Sequence, residues 1–399
     1  MRVIVQKYGG SSVSDFSKIK KIAQKITEAT GNDTGVTVVV SAMGKTTNQF
    51  IKMAKEISDN PPRREMDMLL STGERITMSL LCMALSELGV DSISLTGSQC
   101  GIITDDRHNN ARIIEIRPFR IQDELVKGKV VVVGGFQGVS YKRDITTLGR
   151  GGSDTTAVAL AAALNAEKCE IYSDIDGVYT ADPAVVDEAK HLPEISYQQM
   201  QEMSSNGATV LNSQAVQFAK EKNIAIYTRS TFKPGNETII RNFPQGTSKG
   251  VLAVVYEKNI VKAHFNYEGA DGSFKNLLNV LEEEQVQIKE LNYSCSEKNK
   301  ITCSFIISPK DLYGWGKMEE KLKLDYEDKL HFEKDYSTIS LIGEGLNKDN
   351  SVLIDSINLL KENSINIYGI STTSYRISML IKKTELEKSV KICHQKWVL

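Results

Sequence analysis

Through residue 256 the apolar positions follow two alternating rhythms. Short runs biased toward β-branched residues occur at Val3–Lys7, Val36–Ser41, Val90–Thr96, Val130–Gly134, Cys169–Ser173 and Ile224–Arg229. The runs at Val36–Ser41 and Val130–Gly134 are unbroken, as expected of strands covered on both faces. Helical spacing intervenes. Ile19, Ile22, Ala23 and Ile26 share one face of a helix entered at Ser14 or Asp15 and finished before Gly31. Glu74–Leu88 reads as a helix closed by Gly89, and Asp154–Ala166 as an alanine-rich one. This alternation predicts an α/β fold with an open, mostly parallel sheet and helices on both faces. Ligands of such sheets bind beyond the carboxyl ends of the strands.

Near Glu257–Lys262 the pattern changes. The rest is richer in Lys, Glu and Asn, with shorter elements. Strand Ile260–Asn266 leads through a glycine-containing turn to helix Ser273–Glu284 and strands Val286–Tyr293 and Ile301–Ile307. Strand Thr338–Gly343 leads through Gly345 and Asn347 to helix Ser351–Lys361, strands Ile365–Ser371 and Arg376–Ile381, and helix Glu385–Lys396. The order reads as two α+β units in tandem, or as one α+β domain.

A formal net charge of −1 removes any global field drawing the chain to nucleic acid or an anionic membrane. No apolar run reaches the ~18 residues that cross a bilayer, and the N-terminus reads as a first strand rather than a signal peptide. The six cysteines include no CxxC pair, which suits reduced thiols in a cytoplasmic protein. The dispersed histidines give no support to a protein-held metal site.

Three segments carry chemistry. Lys7-Tyr8-Gly9-Gly10-Ser11-Ser12-Val13 follows the first strand and precedes a helix, so it is either a tight turn or an anion cradle. Gly149-Arg150-Gly151-Gly152-Ser153-Asp154 opens the alanine-rich helix. Ser153 fits a cap and Asp154 the first turn, while a guanidinium at Arg150 suits a carboxylate. Ser173-Asp174-Ile175-Asp176-Gly177-Val178-Tyr179 ends a strand and suits Mg²⁺ through water or a nucleoside, or is an ordinary Asp/Gly loop. Ser41, Thr47, Glu74 and Lys233 lie at further junctions. Gly44-Lys45-Thr46 is no Walker A loop, because Val39 stands where its first glycine belongs.

Five segments in order resemble the aspartokinases of the amino acid kinase superfamily. They are Lys7–Val13, Val40–Gly44 with Thr47-Asn48, Thr72-Gly73-Glu74, Gly149–Asp154 and Ser173–Pro183. The tail is similar to the tandem ACT units, of ferredoxin-like fold, that such enzymes carry. The resemblance implies a catalytic domain at 1–258 and ACT-like units at 259–335 and 336–399. It implies transfer of the γ-phosphoryl of Mg-ATP to the β-carboxylate of L-aspartate, opening lysine, threonine and methionine biosynthesis. Lys7, Asp154 and Lys233 would be catalytic. Ser41, Thr47, Glu74, Arg150, Gly151, Gly152 and Ser153 would meet aspartate. Lys7, Gly9, Gly10, Ser11, Ser173, Asp174, Tyr179 and Lys233 would meet ATP. Asp271, Gly272, Ser273, Ile288 and Glu290 would meet an amino-acid effector, lysine and/or threonine, in a homodimer or dimer of dimers. Relatives commonly carry Arg where this chain has Ala184, and lysine-sensing ones an acid where it has Lys289. The competing readings are another amino-acid or N-acetylglutamate kinase of the superfamily, and a non-catalytic amino-acid-sensing regulator.

Overall fold

The computed structural model describes residues 1–31, 33–149, 151–233, 235–242, 250–268, 272–296, 300–312 and 314–398. The chain forms two compact units, Met1–Tyr179 with His191–Ser205 and Thr209–Thr247, and Thr180–Lys190 with Asn206–Ala208 and Ser248–Leu399.

The first unit is built on an eight-stranded sheet. Its central strand Arg2–Tyr8 is flanked by Thr34–Val40 and Lys168–Ser173; Val130–Gly134 and Ser92–Leu95 extend it one way, and Ile226–Ser230, Glu237–Arg241 and Glu194–Ser196 the other. Every neighbouring pair is parallel except Ile226–Ser230 with Glu237–Arg241. The pleat explains the unbroken apolar runs. Ile4, Tyr8, Val36, Val38, Val40, Val130 and Val132 share one core with Ile19, Ile22 and Ile26 of helix Phe16–Ala29 and Met78, Leu81 and Leu85 of helix Thr72–Glu87. The opposite face meets helix Gly152–Ala163. Ten residues of that helix are buried, from Gly152 to Ala161, and small side chains let it lie close to the sheet. Helix Phe16–Ala29 starts as its sequence predicts, with the Asp15 carboxylate accepting from Lys18 N–H at 2.9 Å.

Among the described residues, helices Arg63–Leu70 and Thr72–Glu87 together form one stretch with length and hydropathy sufficient for a bilayer. Their packing is that of a core element: Asp67 and Glu74 are buried, and Met78, Leu81 and Leu85 belong to the main core. A smaller four-stranded sheet, Ile113–Ile116, Ile102–Thr104, Gln137–Ser140 and Ile145–Thr147, leads into the Gly149 turn. Its three- and four-residue strands carry no readable periodicity.

The second unit is one six-stranded antiparallel sheet, in the order Ile288–Cys295, Lys300–Ile307, Gly250–Glu268, Leu330–Glu344, Arg376–Lys382, Gly369–Thr372. The two longest strands, Gly250–Glu268 and Leu330–Glu344, run through both halves. Val261–Phe265 and Leu330–Phe332 belong to a half with helix Ser273–Glu283, while Val251–Glu257 pairs with Thr338–Gly343 in a half with helices Ser351–Glu362 and Leu386–Trp397. The compositional boundary at 258/259 therefore falls inside one strand, at an irregular register between Glu257 and Ile260. The chain ahead of the boundary supplies the second half with a strand.

That half also takes in Thr180–Lys190 from far upstream. Val254 N–H donates to Thr180 O at 2.7 Å, the Thr180 hydroxyl lies 2.9 Å from His394 Nε2, and Tyr256 donates to Asp182 at 2.7 Å. Ala181 and Val186 are buried among Ile339, Leu341 and Val390. Ala184 is exposed in this segment.

Candidate functional site

Parallel pairing decides where the candidate residues meet. Tyr8 is in register with Val40 and Tyr172, Val40 with Gly134, and Ser173 with Ser230. The loops after these five strands leave one rim of the sheet. They begin at Gly9, Ser41, Gly135, Asp174 and Thr231, so four of the sequence-derived clusters converge there.

Lys7, at the end of the central strand, places its ammonium 2.7 Å from Oδ1 of Asp154 in the first turn of helix Gly152–Ala163. Each side chain is 11% exposed. A strand end and a helix start hold the pair from opposite sides, which fixes the ammonium without neutralising its access to the rim. The glycine-rich loop packs tightly beside it. A Cβ on Gly10 would stand 2.9 Å from Ala42 O, and Gly10 O accepts from Gly44 N–H at 2.9 Å. No larger residue fits there.

Gly9 departs from its expected role. Its N–H donates to Tyr172 O at 3.1 Å, continuing the strand pairing, so it is not a free donor. Among the described residues, the N–H groups of Gly10 and Ser11 make no backbone hydrogen bond. The Ser11 hydroxyl donates to Asp174 at 3.3 Å. Ser12 and Thr231 share a hydroxyl hydrogen bond of 2.6 Å, and Thr231 also donates to Ser173 O. Thr231 is a contributor that no pattern in the sequence marks. It ties the strand before Lys233 to the glycine-rich loop, and Lys233 itself is exposed two residues on. Tyr179 donates to Asp176 at 2.9 Å, and Ser173 accepts from Ile175 N–H at 3.1 Å, which closes the Asp174 loop on itself.

Glu74 is 3% exposed, in the first turn of helix Thr72–Glu87. Its Oε1 accepts from Ala42 N–H at 3.1 Å, which joins it to the loop after Ser41, while the buried Oε2 has no partner among the described residues. Burial pushes this carboxyl up to about 8, against the pull of the Ala42 amide. An acid so placed is poised to take a cation. Ser41 N–H continues the strand pairing to Tyr8 O, and Thr47 lies half-buried in helix Thr46–Ile57.

The alanine-rich helix begins at Gly152, two residues earlier than its sequence suggests. Gly151, with φ 73°, precedes it, and a Cβ there would stand 2.6 Å from Asn212 Cβ. Ser153 is thus inside the helix rather than its cap. Its hydroxyl lies against Gly135, where a Cβ would stand 2.8 Å away. Arg150 lies outside the described residues, between Gly149 and Gly151. No cluster of three or more His, Cys, Asp or Glu side chains suited to a metal occurs among the described residues.

The effector candidates lie in the second unit. Asp271 lies outside the described residues; Gly272, with φ 76°, and Ser273 begin helix Ser273–Glu283. Ile288 lines a hollow of about 440 Å³ with Leu278, Leu281, Val286 and Gln287. Glu290 departs from expectation. Its backbone is left-handed, with φ 51°, at an irregularity in its strand, and its carboxylate is 3.3 Å from Arg376. It forms an internal ion pair within the second unit. Lys289 donates to the buried Glu257 at 2.8 Å.

Known proteins share both the sequence and the fold. Residues 2–230 match the amino acid kinase family and residues 339–397 the ACT domain. An aspartokinase of Mycolicibacterium smegmatis is 42% identical, over 99% of this chain and 96% of that protein. One from Bacillus sp. (strain MGA3) is 40% identical, over 100% of this chain and 98% of the relative. E. coli aspartokinase III in complex with aspartate and ADP superposes with a TM-score of 0.83 at 22% identity, covering 99% of both chains, which shows the shared fold. Aspartate kinase from Synechocystis is 35% identical with a TM-score of 0.56, covering 98% of this chain and 69% of that one.

Proposed function

From the premise that this chain belongs to the aspartokinases of the amino acid kinase family, and so to the phosphotransferases with a carboxyl acceptor, we propose that Lys7 and Asp154 centre the site where Mg-ATP meets L-aspartate. The observation that carries this placement is the buried Lys7–Asp154 pair on a rim also built from Gly10, Ser11, Ser173 and the Glu74-bound loop.

The reaction asks for little proton chemistry. The β-carboxylate of aspartate has an ordinary pKa of ~3.9 and is already a nucleophile at neutral pH, so no general base is required. What opposes reaction is repulsion between this anion and the γ-phosphate. Catalysis is then alignment plus compensation of negative charge. In this reading Asp154 orients Lys7, whose ammonium faces the transferring phosphoryl. The Gly10 and Ser11 N–H groups, near the helix entry at Asp15, receive phosphate oxygens. Lys233 supplies a second ammonium, and Ser173, Asp174 and Tyr179 border the nucleotide. Gly9 shapes the loop by closing it onto Tyr172. Mg²⁺ arrives with the phosphates as part of the substrate.

Glu74 takes the aspartate ammonium through its unpartnered Oε2. Arg150 and the amides of Gly151 and Ser153 take a carboxylate, with Ser41 and Thr47 alongside, while Gly152 shapes the turn by donating its N–H to Gly149 O. The product is an acyl phosphate. Incubation with ATP and aspartate, with hydroxylamine added afterwards, should give aspartyl hydroxamate, with glutamate and N-acetylglutamate far poorer. Equal yield from N-acetylglutamate, which lacks the ammonium, would overturn the Glu74 assignment.

The ACT-bearing second unit supports feedback by an amino acid, and E. coli aspartokinase III has been captured with lysine and aspartate. The hollow at Ile288 and the turn at Gly272 are the places for it. Glu290 acts through Arg376 instead of through the ligand. Both outer strands of the six-stranded sheet, Ile288–Cys295 and Gly369–Thr372, have open edges with exposed Leu291, Tyr293 and Ile370, which suits pairing with a second copy in a homodimer or dimer of dimers. Lysine, alone or with threonine, is expected to lower the initial rate at subsaturating aspartate. Flat activity across both titrations would refute feedback by these two amino acids.

A further inference from the structure

The helix pair that carries Glu74 holds a second buried acid. Asp67, on Arg63–Leu70, has no exposed surface. One oxygen accepts the Thr147 hydroxyl and the Asn109 N–H at 3.1 Å; the other lies 2.7 Å from Nδ1 of His108 and 3.2 Å from the same Asn109 N–H. The three partners come from two segments distant in sequence, the turn at His108-Asn109 and the end of strand Ile145–Thr147. No ligand-facing role fits a carboxylate whose oxygens are all engaged.

The cluster gains its meaning from the residues just beyond Thr147. Leu148 N–H donates to Phe136 O, Ala111 N–H donates to Thr147 O at 2.8 Å, and Gly149 packs against the Asn110 side chain, 2.8 Å from the position of a Cβ. Gly149 O then accepts from Gly152 N–H at 3.1 Å, and Gly152 rests on Leu148 and Phe136. The start of the helix bearing Ser153 and Asp154 is therefore set by Thr147 and the Asn109-Asn110 turn. On the other side, Asp67 O accepts from Ser71 N–H, at the junction from which the Glu74 helix departs. One residue spans both.

We infer that Asp67 is a positioning residue for the amino-acid substrate, locking the Leu148-Gly149 turn and the Gly152-Ser153 helix start to the helix junction that carries Glu74. It touches neither substrate. Its effect is to keep the group for the ammonium and the amides for the carboxylate at a fixed separation, which selects an α-amino acid of one length. The inference rests on the aspartate reading above.

Thr147 gives the cleanest test, since its hydroxyl and its methyl separate hydrogen bonding from packing. In the full chain, Thr147→Val should raise KM for aspartate about tenfold or more, the scale of a lost hydrogen bond to a charged group, with KM for ATP within about twofold. Thr147→Ser keeps the hydroxyl and should hold both constants within about twofold of the parent. Asp67→Asn should behave as Thr147→Val does. An unmoved aspartate KM in Thr147→Val, parallel rises in both KM values, or a Thr147→Ser protein as impaired as Thr147→Val would overturn the role and leave only packing. A parent protein that binds ATP but does not phosphorylate aspartate would overturn the functional reading first and this inference with it. A parent that turns over normally, with no split among the variants, strikes at Asp67 alone.

Discussion

Replacing Lys7 by alanine is expected to lower kcat at least ~100-fold, the lower range for loss of one preorganised donor to a developing charge. The reaction needs no base, so compensation of negative charge carries most of the acceleration, and Lys7 is the ammonium fixed at the rim by a 2.7 Å contact. Removing it also leaves Asp154 buried beside the phosphate path with nothing to oppose its charge, adding repulsion to lost attraction. Both effects act on the transition state, so KM for aspartate should change much less than kcat. Breaking a buried pair destabilises the fold as well, by roughly 3–5 kcal/mol, so turnover must be referred to the folded fraction measured by near-UV circular dichroism. Turnover within a few-fold of the parent in folded Lys7→Ala would remove this residue from the mechanism.

Glu74→Gln should raise KM for aspartate by ~10²-fold, as expected when a buried charge pair with the ligand is lost, and should also make the free protein more stable. The gain in stability comes from the sign of the shift. The carboxyl has an ordinary value near 4.5 in the unfolded chain and about 8 when buried. Between these values the folded state holds a proton that the unfolded state has released, so stability falls as pH rises across that window and levels off above about 8. Glutamine has no proton to lose. The Tm difference in favour of Glu74→Gln should therefore widen from about pH 5 to about pH 8 and then stay flat. For the same reason, parent affinity for aspartate should improve as pH approaches 8, because the ammonium requires the ionised acid. A Tm difference independent of pH would show that the buried acid does not titrate in this window. This is the stability-for-function exchange common at binding sites.

The sheet was readable because its signal is local. Val36–Val40 and Val130–Val133 are apolar on both faces, and the Asp15 cap uses a residue type suited to little else. The position of the site came from strand ends and glycines. What escaped depends on tertiary partners. Nothing in the sequence says that Tyr172 O takes the Gly9 amide, that Asn212 packs against Gly151, or that Thr231 bridges Ser12 and Ser173. The helix start at Gly152 rather than at a Ser153 cap is set by Leu148 and Phe136, which propensity cannot see. In the tail, the repeat was legible as an order of elements, but Gly250–Glu268 is one strand shared between two cores, so a change in composition marks no physical boundary. Glu290 was an effector candidate through the resemblance of the tail to ACT units, and its ion pair with Arg376 exists only in three dimensions.

The strand-sharing at Val251–Glu257 and the capture of Thr180–Lys190 bear on how this enzyme can be dissected. A cut after residue 258 would strip Ala181 and Val186 of the apolar neighbours that bury them and leave the Thr180 carbonyl bonded to a strand torn from its sheet. Residues 1–258 are consequently not an autonomous module, since stretches on both sides of that cut belong to the second unit. Replacing the second unit would require exchanging three stretches of sequence at once, one of which begins at the residue after Tyr179.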